Sequence, residues 1–237
     1  MPRIKTSQGY FKYKSHPVFV GIKRIDKKIS EENLSIIKDF LDFHNLSFGL
    51  IAGTLLGAIR EHDFISHDED IDLFVLEEQQ DQLLDLLPQL HNIGFVVARY
   101  DRRGLLSIIR NGEYIDLYIF KKIGKGIRHC CGWCIPETYL ENTISFSFKN
   151  HFFKIPKQYE QYLRYQYGDN WKTPIQYVNY ELSPYKRKFY EWKERIKELL
   201  PDCMFYKLVK KSEAKMFAKY YKKIQWFNKE YKEQIHF

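Results

Sequence analysis

Residues 105–120 constrain the fold of this chain more than any other stretch. Leu105 to Arg110 and Glu113 to Phe120 are two largely apolar runs, and only Asn111-Gly112 separates them. Asn and Gly accept the positive φ angles that a type I′ turn demands, so the spacing predicts a tight antiparallel hairpin. Inside the second strand of that hairpin, Asp116 is an isolated acid among apolar neighbours, in Tyr114-Ile115-Asp116-Leu117-Tyr118. A carboxylate in such company is costly to bury unless it meets a metal ion or a hydrogen-bond donor.

A second run of acids lies upstream, in His67-Asp68-Glu69-Asp70-Ile71-Asp72-Leu73. Read as a strand, its side chains alternate between faces, so Asp70 and Asp72 point one way and Ile71 and Leu73 point into the core. Two carboxylates on one face repel each other unless a cation lies between them. Oxygen-only donors suit a hard divalent ion, magnesium or manganese, which bridges substrate phosphates and neutralises charge during transfer. Asp70 and Asp72 are therefore the expected metal ligands. Asp116, if its strand lies alongside, is expected to help hold the ion or to accept the proton of an attacking hydroxyl.

Just before the acids, Gly53-Thr54-Leu55-Leu56-Gly57-Ala58-Ile59-Arg60 follows the apolar run Phe48 to Ala52. A glycine between a strand and a helix lets backbone amides approach a phosphate, and a helix start favours an anion. Gly53, Thr54 and Arg60 are accordingly the expected phosphate contacts on the donor side, Arg60 through its guanidinium fork.

The remaining pattern predicts an α/β (α+β) fold with a mixed sheet. Ser30, followed by Glu31 and Glu32, reads as a helix start, with Leu34, Ile37 and Leu41 at helical spacing and Asn45 as the stop. Strands are expected at 48–52, 71–76 and 95–98, and helices at 77–90 and 158–167, the last ending at Gly168. Residues 121–153 read as irregular. Three regions follow: an N-terminal arm over 1–29, a catalytic domain over 30–176, and a helical C-terminal extension over 177–237.

Charge supports that division. The formal net charge is +8, and from Tyr185 to Phe237 there are 15 Lys and Arg against seven Asp and Glu, so the extension carries the whole excess. A nucleic-acid-binding domain would spread its charge differently, and none is expected. No apolar run reaches the roughly 18 residues of a membrane-spanning helix. The N-terminus lacks a stretch of signal-peptide length, and Cys130, Cys131, Cys134 and Cys203 do not form a disulfide framework. A cytoplasmic protein, touching a membrane at most peripherally, is expected.

The two motifs together resemble the signature of the LicD family, which includes the bacterial phosphocholine transferases, with fukutin and the fukutin-related protein as eukaryotic relatives. The resemblance rests on Gly53 to Arg60, then Asp68 to Asp72. It is extended by Tyr167-Gly168-Asp169-Asn170-Trp171-Lys172-Thr173-Pro174, which is similar to the motif closing the family domain. It covers roughly residues 30–176; Ser66-His67 stand where the family often has an aromatic residue and a proline. The resemblance implies a nucleotidyltransferase-like fold and transfer of a phospho-alcohol from a CDP-linked donor (CDP-choline, CDP-ribitol) to a sugar hydroxyl of a cell-surface glycan, such as capsule or lipopolysaccharide, with CMP leaving. It also implies that Asp70 and Asp72 bind the metal, that Asp68 assists them and that Asp116 is the further acid.

Two other functions stay open at this point. A nucleotidyltransferase would use the same acids but attack a different phosphorus and release pyrophosphate. A binding module on a degenerate fold would have no reason to keep clustered acids. Zinc at Cys130, Cys131 and Cys134, with His129 nearby, is disfavoured by atypical spacing, and a buried cysteine cluster in a loop is expected. The aromatic, basic tail, with Trp192, Phe205, Tyr206, Phe217, Tyr220, Tyr221, Trp226 and Phe227, reads as a helical cap. Contact with an anionic membrane, where a lipid-linked acceptor would lie, is the competing reading.

Overall fold

The structure is a computed structural model that describes residues 1–17, 24–175 and 183–231; the side chains of Pro184, Arg187 and residues 226–231 lie outside the description. Trp226 and Phe227 are among these, as are positions 177–182 and 232–237 of the expected extension.

The N-terminal arm is a hairpin, β1 (Arg3–Thr6) and β2 (Gly9–Lys12). Helix α1 (Lys27–Phe43) follows. It starts before the expected Ser30 because Asp26 is the cap, its carboxylate accepting from the Lys28 and Ile29 amides at 3.1 Å. Ser30 is buried in the first turn. Leu34, Ile37 and Leu41 are fully buried, as their spacing predicts. Each contributes about 1.5–3 kcal/mol by leaving water.

Next come β3 (Phe48–Leu50), α2 (Ala52–Arg60) and β4 (Asp70–Leu76). The helix expected over 77–90 is broken into a 3-10 turn and two short helices, α3 (Gln80–Asp85) and α4 (Leu87–Asn92). Pro88, lacking an amide hydrogen, cannot continue the ladder of the preceding turns. Strand β5 (Val96–Asp101) leads to the predicted hairpin, β6 (Leu105–Arg110) and β7 (Glu113–Gly124). Its turn residues Asn111 and Gly112 have φ of 52° and 81°, as a type I′ turn requires.

The region expected to be irregular holds four more strands: β8 (Ile127–Cys130), β9 (Trp133–Pro136), β10 (Thr143–Phe148) and β11 (His151–Pro156), with the short helix α5 (Thr138–Glu141) between. Their turns pair positive φ angles at Lys125-Gly126, Cys131-Gly132 and Lys149-Asn150. A Lys or Cys in the left-handed region is uncommon, which disguised these turns. Helix α6 (Tyr159–Tyr167) ends at Gly168, and two helices, α7 (Pro184–Leu199) and α8 (Asp202–Tyr231), complete the described chain.

The sheet is mixed, ordered β10-β11-β3-β4-β7-β6-β5, with β8 and β9 continuing from the far end of β7. The central pair, β4 and β7, runs parallel, while β3–β4, β6–β7 and β5–β6 are antiparallel. Ile71, Leu73, Ile115, Leu117 and Ile119 are buried in the core on one face, toward α1. Helix α8 packs along β9, and its side chains Phe205, Val209 and Ile224 are buried, Phe205 under the guanidinium of Arg102. No helix among the described residues is long and apolar enough to cross a membrane.

Candidate active site

The parallel pairing of β4 with β7 brings the acids together. Asp72 stands directly opposite Asp116, and Asp70 opposite Tyr114. Across the next ladders Asp116 pairs with Ser107, and Ser107 with Arg99. One row therefore crosses four strands: Asp72, Asp116, Ser107, Arg99. Arg99 reaches this row through an irregularity between Val97 and Arg99, where Ala98 is left without a partner on β6. An extra residue in a strand re-aims the side chains beyond it. Without it, Arg99 would stand opposite the apolar Leu106.

Each acid is held differently. The Asp72 carboxylate accepts from the Gly53 amide at 2.9 Å and the Thr54 amide at 3.4 Å, at the start of α2. In return the Asp72 amide donates to the Thr54 hydroxyl at 2.8 Å. Helix α2 has no side-chain cap of its own at Ile51, so Asp72 supplies one from the neighbouring strand. Asp68, in the loop before β4, lies over Gly53: a Cβ there would come within 2.2 Å of Asp68 Oδ2 and 3.2 Å of Asp72 Oδ2. Glycine at 53 is thus what lets two carboxylates approach the helix start. Asp116 pairs with Arg99 at 3.2 Å, and Arg99 also donates to Ser107 Oγ at 3.1 and 3.2 Å. Asp116 Oδ1 is buried and makes no hydrogen bond of ordinary geometry.

The electrostatics follow from this crowding. Burial, then the charges of Asp72, Asp116 and Asp68, hold Asp70 well above the usual carboxylate range. Burial, then Asp68 and Asp116, do the same to Asp72, against the pull of the Thr54 and Gly53 amides. Asp68 and Asp116 are also raised, chiefly by burial, with Arg99 opposing at Asp116. Tyr118, two residues along β7 on the face of Asp116, is pushed well above the usual phenol range by burial and by Asp72, Asp116 and Asp70. Its hydroxyl therefore borders the cluster.

The expected phosphate contacts have partners within the protein. The Gly53 and Thr54 amides meet Asp72 rather than an open space. Arg60 donates to the Trp171 carbonyl at 3.3 Å and pairs with Glu61 at 2.6 Å. That contact ties the Gly53–Arg60 segment to the motif around Trp171. Arg99, Ser107 and Tyr118 escaped the sequence reading. A lone Ser in Leu105-Leu106-Ser107-Ile108-Ile109 and the two-residue step from Asp116 to Tyr118 were the available signals, whereas the shift at Ala98 has none.

The cysteines lie on the β8–β9 hairpin and are all free. Cys130 and Cys134 face inward, fully buried, and Cys131 occupies the turn. His129 Nε2 accepts from the Gly132 amide at 2.8 Å and stands 3.5 Å from Glu213 on α8. Among the described residues, no three His, Cys, Asp or Glu side chains close around a common point as a finished metal site would. The fit of a cation to the acid cluster is instead a matter of donor chemistry. Asp68 and Asp72 meet at the start of α2, Asp116 faces Asp72 across the ladder with Asp70 two residues along β4, and the buried Asp116 Oδ1 makes no hydrogen bond of ordinary geometry. Such a set suits a hard divalent ion.

The chain is similar to several known proteins. Two uncharacterized proteins are similar over part of the chain. One, from Rickettsia typhi, is 28% identical over 102 residues, 42% of this chain and 32% of that protein. The other, from Rickettsia prowazekii, is 33% identical over 82 residues, 33% of this chain and 30% of that protein. The chain thus spans about a third of the length of these curated relatives in the matched region. Among solved structures, the lincomycin-bound lincosamide antibiotic adenylyltransferase LnuA is similar at a TM-score of 0.44 and 13% identity, covering 69% of this chain and 94% of that one. The antibiotic-resistance factor ANT(2'')-Ia is similar at 0.45 and 12%, covering 87% and 99%. Likenesses of this strength say nothing of this chain's substrate. Residues 45–158 match the family described as LicD/FKTN/FKRP, nucleotidyltransferase domain, a span that includes Gly53, Asp68, Asp70, Asp72, Arg99 and Asp116, and this segment of the chain is identified as a domain of the LicD family.

Proposed function

We propose that this chain transfers a phospho-alcohol, such as phosphocholine or a polyol phosphate, from a CDP-linked donor to a sugar hydroxyl of a cell-surface glycan, releasing CMP. The observation that carries the reading is the placement of Asp72 and Asp116 in register on adjacent parallel strands, with Asp70 and Asp68 beside them. That much like charge on a buried surface opposes folding, and a bound cation is the natural counterweight.

In this reading Asp70 and Asp72, assisted by Asp68, hold a magnesium or manganese ion. When bound, the ion neutralises charge on the donor diphosphate and on the departing CMP. The protein supplies the rest. Gly53 and Thr54 fix the Asp72 carboxylate, so its geometry is set before substrate arrives. Arg99 and Ser107 orient Asp116 from the far end of the row. Asp116 draws the proton from the acceptor hydroxyl as its oxygen bonds to the phosphorus bearing the alcohol, and the bond from that phosphorus to the CMP oxygen breaks.

A nucleotidyl transfer is the second reading, favoured by the family's nucleotidyltransferase domain. Thermal unfolding against a panel of CDP-alcohols and nucleoside triphosphates, each with magnesium or EDTA, separates the two. A ligand at 100 times its dissociation constant adds about 2.7 kcal/mol to the folded state. A magnesium-dependent shift with a CDP-alcohol, and CMP as product, supports phospho-alcohol transfer. A shift only with triphosphates, and pyrophosphate as product, overturns it.

A further inference from the structure

Helix α7 is amphipathic in an inverted sense. Its acidic side faces the domain. Glu198 accepts from the hydroxyls of Tyr13, at 3.1 Å, and Ser15, and its backbone carbonyl accepts from Arg102 at 3.0 Å. Glu191, Glu194 and Glu198 line a recess that they share with Arg99. The opposite side of the helix carries Tyr185, Phe189, Trp192, Ile196 and Leu199, which are 89, 57, 60, 36 and 61% exposed.

These five residues recur at steps of four, three, four and three. At about 100° per residue they fall within an arc of roughly 80°, a continuous apolar stripe. Exposed cations border it on both sides: Lys186 and Lys193 along one edge, Lys188 and Arg195 along the other. A solvated surface helix carries charge along such a face, whereas here the row of apolar side chains is continuous.

We propose that α7 is an interfacial helix that seats this chain on an anionic lipid surface, with the stripe among the acyl-chain ends and the flanking cations at the phosphate level. Two observations favour lipid over protein. The cations on both edges complement an anionic plane, and they would repel the same stripe on a second copy. The stripe is also small. A 16-residue helix is about 24 Å long, and a band about 10 Å wide along it offers on the order of 240 Å². A stable protein interface takes about 800 Å² from each partner.

The test is flotation of the full chain with vesicles of phosphatidylglycerol and phosphatidylcholine, and with phosphatidylcholine alone, at low and high salt. Tryptophan emission is recorded in parallel. The expected result is binding to the anionic vesicles, a blue shift that Trp192→Phe removes, and weakening by salt. Phe189→Ser with Trp192→Ser lowers the affinity about tenfold or more, and Lys186→Glu with Lys193→Glu also weakens it. The stripe is exposed, so the melting temperature stays near that of the parent; if the first pair lowers it, Ile196→Ser with Leu199→Ser serves instead. No flotation with anionic vesicles overturns the proposal, as does flotation indifferent to the stripe. So does a concentration-dependent dimer abolished by Trp192→Ser, which would assign the stripe to a second copy.

Discussion

Replacing Asp72 by Asn should remove activity and yet raise the stability of the metal-free protein. The reasoning starts from the row geometry. Asp72 and Asp116 sit on neighbouring strands in register, which places them about 5 Å apart. At an effective dielectric of about 20, two charges at that distance repel by about 3 kcal/mol. Asn removes that term and the further repulsion from Asp68. It keeps an oxygen for the Gly53 and Thr54 amides, but exchanges two charge-assisted hydrogen bonds for neutral ones, at a cost of about 1 kcal/mol apiece. The balance is a gain of about 1 kcal/mol or somewhat more, a rise of roughly 2–4 °C in melting temperature for a chain of this size. Calorimetry at pH 7 in EDTA measures it, beside the same scan in magnesium. The parent should gain from magnesium and the variant should not. A variant that melts well below the parent in EDTA, or that keeps magnesium-dependent stabilisation and turnover, would refute the account of Asp72 as a repelled ligand.

Gly53→Ala should leave the melting temperature within about 2 °C of the parent, since alanine suits a helix, the closest atom it meets is the movable end of Asp68, and Asp72 Oδ2 need give by only a few tenths of an ångström. Magnesium affinity, read by titration calorimetry, should fall because Asp68 must swing away from its place beside Asp72. Arg99→Met should cost about 3–5 kcal/mol in urea unfolding by stranding the buried Asp116 carboxylate, and Arg99→Met with Asp116→Asn should recover most of it; a double variant as unstable as the single would assign Arg99 to packing alone. The acid cluster also sets a pH dependence. The folded pKa values of Asp70 and Asp72 lie above their unfolded ones, so the folded state binds more protons and stability falls as pH rises from about 4 through the raised values. The gap between parent and Asp72→Asn in EDTA should therefore close as pH is lowered from 7 toward 4, and a gap that widens instead would contradict the cluster.

Local chemistry was legible from the residues alone wherever a local rule governs it. Asn111-Gly112 specified its turn because few residue pairs accept two positive φ angles, and the alternation of Asp70-Ile71-Asp72-Leu73 specified which side chains share a face. The same kind of rule failed at Lys125, Cys131 and Lys149, whose left-handed conformations are imposed by the strands on either side. Only tertiary structure decided that β4 lies parallel to β7 with Asp72 opposite Asp116, because strand pairing is a contact between segments some forty residues apart that no local pattern encodes. It likewise gave the Gly53 and Thr54 amides to Asp72, and brought Arg99 into the row through an unpaired Ala98. The spacing of Tyr185, Phe189, Trp192, Ile196 and Leu199 can be read from the chain. Which side of that helix meets the domain is a choice between a charged face and an apolar one, and the partners at Tyr13, Ser15 and Arg102 made it.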